Sequence, residues 1–176
     1  MEMQVEQRAV DRSTGIENDV LVADEPRAAA RLLEYHRGRF VAFPAHTTLE
    51  LIERPPLVEV PGAPYYCRGM VEWQGRQIPL IDLHTLLCAY PKETVYARPL
   101  GHVLVLAFQR APREPLEYGA LCAPALLRMV NVTDNQQCAL PVDSDLWPWI
   151  SIACFSHDGQ AVPILDTARL FAQPHV

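Results

Sequence analysis

The sequence predicts a mainly β protein made of two pseudo-symmetric small β-barrels with a few short helices. A thirteen-residue stretch that begins at Gly75 and contains Asp82 returns at a constant offset of 84 residues, beginning at Gly159 and containing Asp166. Short runs of alternating apolar and polar residues are separated by turn residues, which is typical of strands. Two copies are fewer than the ~3 that a solenoid needs, so a duplicated lobe is favoured.

The chain begins with a polar segment before its first strands. Residues 1–30 are expected to form a largely flexible N-terminal extension, in which 20–22 is an optional extra strand and 26–30 a linker or helical turn. A hairpin follows over 31–36 and 39–43, because the glycine between them supplies the positive φ of a tight turn.

The rest of the first half contains a strand, a proline-rich loop, a second hairpin and a capped helix. In order, these are 47–53 (with an optional helical turn at its start), 54–64, the strands 69–73 and 76–81, and a helix over 83–88. Asp82 precedes that helix, and its carboxylate is expected to accept hydrogen bonds from the amides of the first turn.

The second half repeats the plan. Its predicted elements are strands over 100–109, 116–122 and 125–132, a polar loop over 133–146, a hairpin over 149–155 and 160–165, and a helix over 167–172. Asp158 and Gly159 form the hairpin turn, and Asp166 caps the helix. We therefore expect a domain over 31–176, with one lobe at about 31–90 plus crossing strands and the other at about 100–172.

Composition excludes several classes of function. The net charge of −6 argues against nucleic-acid binding, since that affinity comes from neutralising phosphates, and against docking on anionic membranes. No signal-like or membrane-spanning apolar run is present, so a cytoplasmic location is expected. The five cysteines are widely spaced with apolar neighbours, which favours buried free thiols over a redox or metal site; they are Cys67, Cys88, Cys122, Cys138 and Cys154.

The sequence contains no catalytic pattern. Asp82 and Asp166 are better explained as helix caps than as an acid–base pair, because the repeat places them in separate lobes. The six histidines show no metal-ligand spacing, and no glycine-rich phosphate loop is present. We therefore predict no enzymatic activity, no catalytic residue, no cofactor and no metal.

Two segments carry a resemblance to a known family. Residues 60–69, Val-Pro-Gly-Ala-Pro-Tyr-Tyr-Cys-Arg-Gly, and 75–83, Gly-Arg-Gln-Ile-Pro-Leu-Ile-Asp-Leu, resemble the CheW-like domain of bacterial chemosensory systems. The resemblance covers about 31–172 and implies two packed five-stranded barrels without catalysis. It also implies an adaptor that joins the regulatory domain of a CheA-like histidine kinase to the cytoplasmic tips of chemoreceptors, in chemotaxis or in type IV pilus control. Other CheW-like domains are further possible partners.

The resemblance also implies positions for partner binding. A receptor-facing hairpin and a kinase-facing strand give the expected residues Thr48, Glu50, Glu72, Trp73, Gln74 and Arg76. An exposed Trp73 between polar neighbours suits a reversible interface, and a buried sheet aromatic is the equal alternative. Glu50 is either a solvated strand residue or an interface acid.

The hairpin tip departs from the family pattern. Typical members have Asn-Leu-Arg-Gly there, whereas this chain has Glu72, Trp73, Gln74 and Gly75. Glutamine cannot make the bidentate bonds of an arginine. The alternative function is therefore a specialised CheW-like module that has lost receptor coupling and binds another signalling or pilus-regulating partner. In the second half, Trp147 and Trp149 are expected to plug a barrel rather than form a recognition patch.

Overall fold

A computed structural model describes residues 26–87 and 100–172. The predictions for residues 1–25 and for Cys88 lie outside these ranges. The strands are β1 (Ala28–His36), β2 (Arg39–Pro44), β3 (Thr48–Glu53), β4 (Leu57–Val58), β5 (Cys67–Trp73), β6 (Arg76–Ile81), β7 (His102–Phe108), β8 (Glu117–Ala123), β9 (Arg128–Val132), β10 (Ser151–His157) and β11 (Gln160–Leu165). The helices are α1 (Leu83–Leu87), α2 (Trp147–Ile150) and α3 (Thr167–Ala172), with 3₁₀ turns at Ala45–Thr47 and Asp134–Gln136.

The strands form two curled sheets, as the predicted fold class requires. The five-stranded lobe has the order β10-β11-β2-β1-β9, and the six-stranded lobe has the order β3-β7-β8-β6-β5-β4. Each lobe contains antiparallel hairpins joined by one parallel contact, β11 with β2 in the first and β6 with β8 in the second. The sixth strand, β4, has only two residues and was not predicted.

The two sheets exchange hairpins along the chain. The N-terminal hairpin β1–β2 joins the C-terminal strands β9–β11, and the hairpin β7–β8 joins β3–β6. Each lobe therefore combines strands from both parts of the chain, whereas the sequence predicted one lobe at about 31–90 plus crossing strands and the other at about 100–172. Periodicity identifies a strand but does not reveal which distant strand it pairs with, so the crossing strands could not be named from the sequence.

The internal repeat is present in the structure. Strands β10 and β11 begin and end 84 residues after β5 and β6. Both hairpins carry a register shift at the same place, between Cys67 and Gly69 in one and between Ser151 and Ala153 in the other. The extra residue of a bulge bends and twists its strand, so both hairpins bend at the equivalent position.

Both predicted aspartate caps are confirmed. Asp82 Oδ1 accepts the backbone N–H of Thr85 at 3.3 Å, and Asp166 Oδ1 accepts that of Arg169 at 3.1 Å. Each aspartate therefore serves the first turn of a short helix.

Two local predictions were wrong. Residues Ala28–Ala30 are not a linker or helical turn, since they belong to β1 and pair with Val132, Asn131 and Val130 of β9. Trp149 and Ile150 lie in α2 rather than at the start of a strand. Pro148 occupies the first turn of this helix, where its missing N–H costs nothing.

Three apolar clusters form the core. The largest lies between the lobes and combines residues of both, among them Phe43, Leu104, Leu121 and Trp147. A second fills the six-stranded lobe: Val71, Trp73, Ile78, Leu80, Val103, Val105 and Ala120. The third, in the five-stranded lobe, has fewer members, two of which are alanines: Ala30, Leu32, Ala42, Phe155 and Val162.

Candidate interaction surface

The tip of the β5–β6 hairpin is exposed. Gln74 and Gly75 adopt φ values of 48° and 73°, the paired left-handed conformation of a tight two-residue turn. Glu72, Gln74 and Arg76 are exposed on and beside this turn. Three of the predicted partner-binding residues are therefore available to a partner.

Trp73 is turned inward. It is 8% exposed and packs against Tyr118 with ring centroids 5.0 Å apart. Its indole Nε1–H donates a 2.7 Å hydrogen bond to Glu50 Oε2. Of the two interpretations left open by the sequence, the structure shows the buried sheet aromatic.

This hydrogen bond brings two predicted site residues together across the sheet. Trp73 lies on β5, and Glu50 lies on β3 at the other end of the strand order. Glu50 is exposed, so the indole fixes one carboxylate oxygen while water or a partner can reach the other. Although Trp73 is buried, it therefore affects the surface, because it fixes the orientation of the exposed Glu50 side chain.

Arg76 is held by an aromatic ring that the sequence analysis did not identify. Its guanidinium lies 5.2 Å from the centroid of Tyr118, whose ring also packs on Trp73. Arg76, Tyr118, Trp73 and Glu50 therefore form a connected row. The only signal for Tyr118 was its place in a predicted strand, because its partners come from two other strands.

Strand β3 is an end strand with an exposed apolar residue. Within residues 26–87 and 100–172 it pairs with β7 only, and its register shifts between Thr48 and Glu50. This bulge breaks the alternation, so that Leu49 (46% exposed) and Glu50 are both exposed. Thr48 is half-buried, and its hydroxyl donates to the carbonyl of Ala45 at 2.8 Å. Leu49, rather than Trp73, is the apolar side chain beside the predicted acid.

The two tryptophans of α2 have different environments. Trp147 is 1% exposed and donates from Nε1 to Asp143 Oδ1 at 2.8 Å, as a plug of the barrel would. Asp143 also forms an ion pair with Arg39. Trp149 is 66% exposed, so the expectation of burial holds for one tryptophan and is wrong for the other.

The cleft between the lobes contains several ionisable side chains. It encloses about 250 Å³ and is lined in part by His36, Arg68, Asp82, His84 and His102. The rings of His36 and His84 stack at 4.2 Å, and Arg68 lies 3.8 Å from Asp82, which is already a helix cap. Across residues 26–87 and 100–172, no three His, Cys, Asp or Glu side chains are placed to hold a metal ion.

Comparison with known proteins identifies the family. The family model of the CheW-like domain matches residues 33–175, which is most of the chain. The chain belongs to the CheW-like domain family. The fold also matches the crystal structure of the scaffolding protein TtCheW from Thermoanaerobacter tengcongensis, with a TM-score of 0.64, 12% identity, and coverage of 85% of this chain and 95% of the other. The search of curated proteins gave no match.

Members of the CheW-like family are non-enzymatic scaffold and adaptor proteins of chemotaxis signalling. Among the described segments, no helix is long and apolar enough to cross a membrane. The exterior of the described residues includes the end strand β3 and the β5–β6 tip.

Proposed function

We propose that this CheW-like protein is a cytoplasmic, non-enzymatic adaptor that couples a chemosensory histidine kinase to chemoreceptors, in chemotaxis or in type IV pilus motility control. The observation that supports this proposal most is that Leu49 and Glu50 are exposed together on β3, which among the described residues is an end strand of its sheet. A strand at the end of a sheet can offer backbone donors and acceptors to a partner. An apolar side chain beside a polar one suits a reversible contact.

The kinase regulatory domain is the partner assigned to this edge. Leu49 would supply buried apolar area, and Glu50 would supply a carboxylate already oriented by Trp73. Orienting the carboxylate before binding reduces the rotamer entropy lost on association. Thr48 would contribute less, because its hydroxyl is committed to Ala45.

The receptor is assigned to the hairpin tip of Glu72, Gln74 and Arg76. Arg76 supplies the cation of this surface, and its position over Tyr118 restricts the side chain. The adaptor would work by holding kinase and receptor in a fixed relation. A coupling free energy of ~1–3 kcal/mol would suffice to shift the kinase equilibrium.

A matched pair of variants tests the kinase assignment. Leu49→Asp places a charge on the end strand of the six-stranded lobe, and Met129→Asp does the same on β9, the end strand of the other lobe. Met129 is 52% exposed, close to Leu49. We expect Leu49→Asp to weaken binding of a purified kinase regulatory domain at least about tenfold, the equivalent of ~1.4 kcal/mol, and Met129→Asp to leave it unchanged. Equal losses, or binding insensitive to both, would refute the assignment to β3.

The neutral residue at the tip favours one alternative, a specialised module that has lost receptor coupling. Gln74→Arg restores the family arginine, and Asp158→Arg places the same side chain on the equivalent turn of the other lobe, where Asp158 has φ 50°. Receptor recruitment that rises only with Gln74→Arg would show that coupling was lost at this residue. If the wild-type protein recruits the receptor, the alternative function without receptor coupling is excluded.

A further inference from the structure

Two cysteine side chains meet in the five-stranded lobe. Sγ of Cys138 lies 3.5 Å from Sγ of Cys154, and the backbone N–H of Cys138 donates to the carbonyl of Cys154 at 3.0 Å. The sequence separates them by sixteen residues and gave no reason to pair them. Both are free thiols in this structure.

Their backbone positions are those that a disulfide requires. Gln137 and Phe155 form an antiparallel bridge, so the next residue on one side, Cys138, lies directly opposite Cys154. Directly opposed residues in antiparallel strands have Cα atoms about 4.5–5.5 Å apart. A disulfide spans Cα separations of about 4.4–6.8 Å, so only side-chain rotation is needed to form the bond.

We propose that Cys138 and Cys154 are a redox-active pair that forms an intrachain disulfide when the protein meets a peroxide. This modification site is independent of the adaptor role. The bond would join β10 to the segment that follows β9. Because β9 and β10 are the two end strands of the five-stranded sheet, the bond would close that sheet covalently.

The surroundings of the two thiols set the order of events. Cys154 is 4% exposed, and burial, with the hydrogen bond to Cys138, raises the pKa of its thiol to about 12. Cys138 is half-buried and is therefore the thiol that an oxidant reaches first. Cys154 then acts as the resolving thiol, with its low thiolate content offset by its position next to the reacting sulfur.

Formation of the disulfide requires hydrogen peroxide as its only oxidant. The Cys138 thiol loses its proton, its thiolate attacks one oxygen of hydrogen peroxide, the O–O bond breaks, and the leaving hydroxide takes up that proton, which gives a sulfenic acid and water. The sulfur of Cys154 then attacks the sulfenic sulfur, the S–O bond breaks, and hydroxide leaves with the thiol proton as a second water. Two thiols are oxidised and one peroxide is reduced to two waters. Thiol reductants reverse the step, so the bond would be transient in a reducing compartment.

Peptide mapping of the full-length protein tests the pairing. The two thiols are the only cysteines in the tryptic peptide 129–169, which contains no internal lysine or arginine. Reduced protein is exposed to hydrogen peroxide, alkylated after unfolding and digested. We expect this peptide to become two hydrogens lighter and to carry no alkyl group, while Cys122, in peptide 114–128, keeps its label. Two alkyl groups on 129–169 after oxidation, or a bond from either residue to another cysteine, would overturn the pairing.

Thermal unfolding tests the closure of the sheet. Oxidised wild type should unfold roughly 5–10 °C above the reduced protein, because the bond closes a loop of about fifteen residues, and a reductant should abolish the difference. Cys138→Ser, which keeps the size of the side chain, should show no such shift under the same oxidant. Cys122→Ser should retain it. A shift of equal size in Cys138→Ser, or none in the oxidised wild type, would refute the closure.

Discussion

In the six-stranded lobe, β4 closes the sheet by pairing with β5, and Val58 lies opposite Met70. In the five-stranded lobe, the equivalent place is taken by the segment after β9, where Cys138 lies opposite Cys154. Cys154 follows Met70 by the 84 residues of the internal repeat. An apolar pair, Val58 with Met70, thus lies at the closure of the six-stranded sheet, and a pair of thiols lies at the equivalent place in the five-stranded sheet. A duplicated fold can keep its backbone plan while one copy acquires new chemistry.

The interiors of the two lobes also differ. The six-stranded lobe is filled by Trp73 and a group of branched aliphatic residues. The five-stranded lobe has Ala30 and Ala42 among its five buried members, and an apolar groove of about 350 Å³ opens beside Phe155. Fewer and smaller side chains bury less apolar area, so we expect this lobe to be the less stable of the two. A covalent closure would have its largest effect there.

The two lobes differ at the shared bulge, where Gly69 of one corresponds to Ala153 of the other. Gly69 has φ +129°, and a Cβ added there would lie 2.4 Å from the carbonyl oxygen of Val58. Its counterpart Ala153 already carries a Cβ. Gly69→Ala should therefore cost about 3 kcal/mol or more in the free energy of unfolding, from backbone strain and a clash with backbone. Ala153→Gly should cost under about 1 kcal/mol.

Urea denaturation followed by circular dichroism measures both variants. The unfolding midpoint should fall far more for Gly69→Ala than for Ala153→Gly. Similar midpoints would mean that β4 does not close tightly on β5, and the contrast between the lobes would then be lost.

The fold class and the repeat were predictable because each depends on local pattern. Gly75 and Gly159 mark equivalent turns, and Asp82 and Asp166 mark equivalent caps, so the elements around them were predicted to within a few residues. The hairpin exchange was not predictable. Residues of β2 and β11 meet at Ala42 and Ile164, and no local periodicity records a contact between segments so far apart.

The candidate site was predictable in part. Exposure of Gln74 and Arg76 follows from their place at a turn. The burial of Trp73 had a signal, since alternation places it on the face of Val71 and opposite Glu72. No sequence pattern predicted the exposure of Leu49, because that exposure depends on a bulge in β3 that the sequence does not mark.

Trp147 and Trp73 each donate an indole N–H to a carboxylate, one in the core and one near the surface. Trp147→Phe should cost about 2–3 kcal/mol, because it opens space in a fully buried site and removes the bond to Asp143. Trp73→Phe should cost about 1 kcal/mol, since Glu50 is exposed and can be solvated when it loses its partner. Chemical denaturation followed by circular dichroism gives both values.

The same pair of variants separates stability from binding. Trp73→Phe should also weaken binding of the kinase regulatory domain, because Glu50 is no longer oriented, whereas Trp147→Phe should not once the protein is folded. Unchanged kinase binding by Trp73→Phe would show that the hydrogen bond stabilises the lobe and nothing more.

The smallest expected difference is at the two hairpin turns. Gln74 and Asp158 have φ values of 48° and 50°, and each precedes a glycine with positive φ. Asparagine tolerates this left-handed conformation best among non-glycine residues, aspartate tolerates it well, and glutamine does not. Gln74→Asn should therefore raise the free energy of unfolding by about 0.5–1 kcal/mol, and Asp158→Asn by less than half of that. Paired thermal melts resolve the difference, and an equal gain at both turns would show that the conformation of Gln74 is not strained relative to that of Asp158.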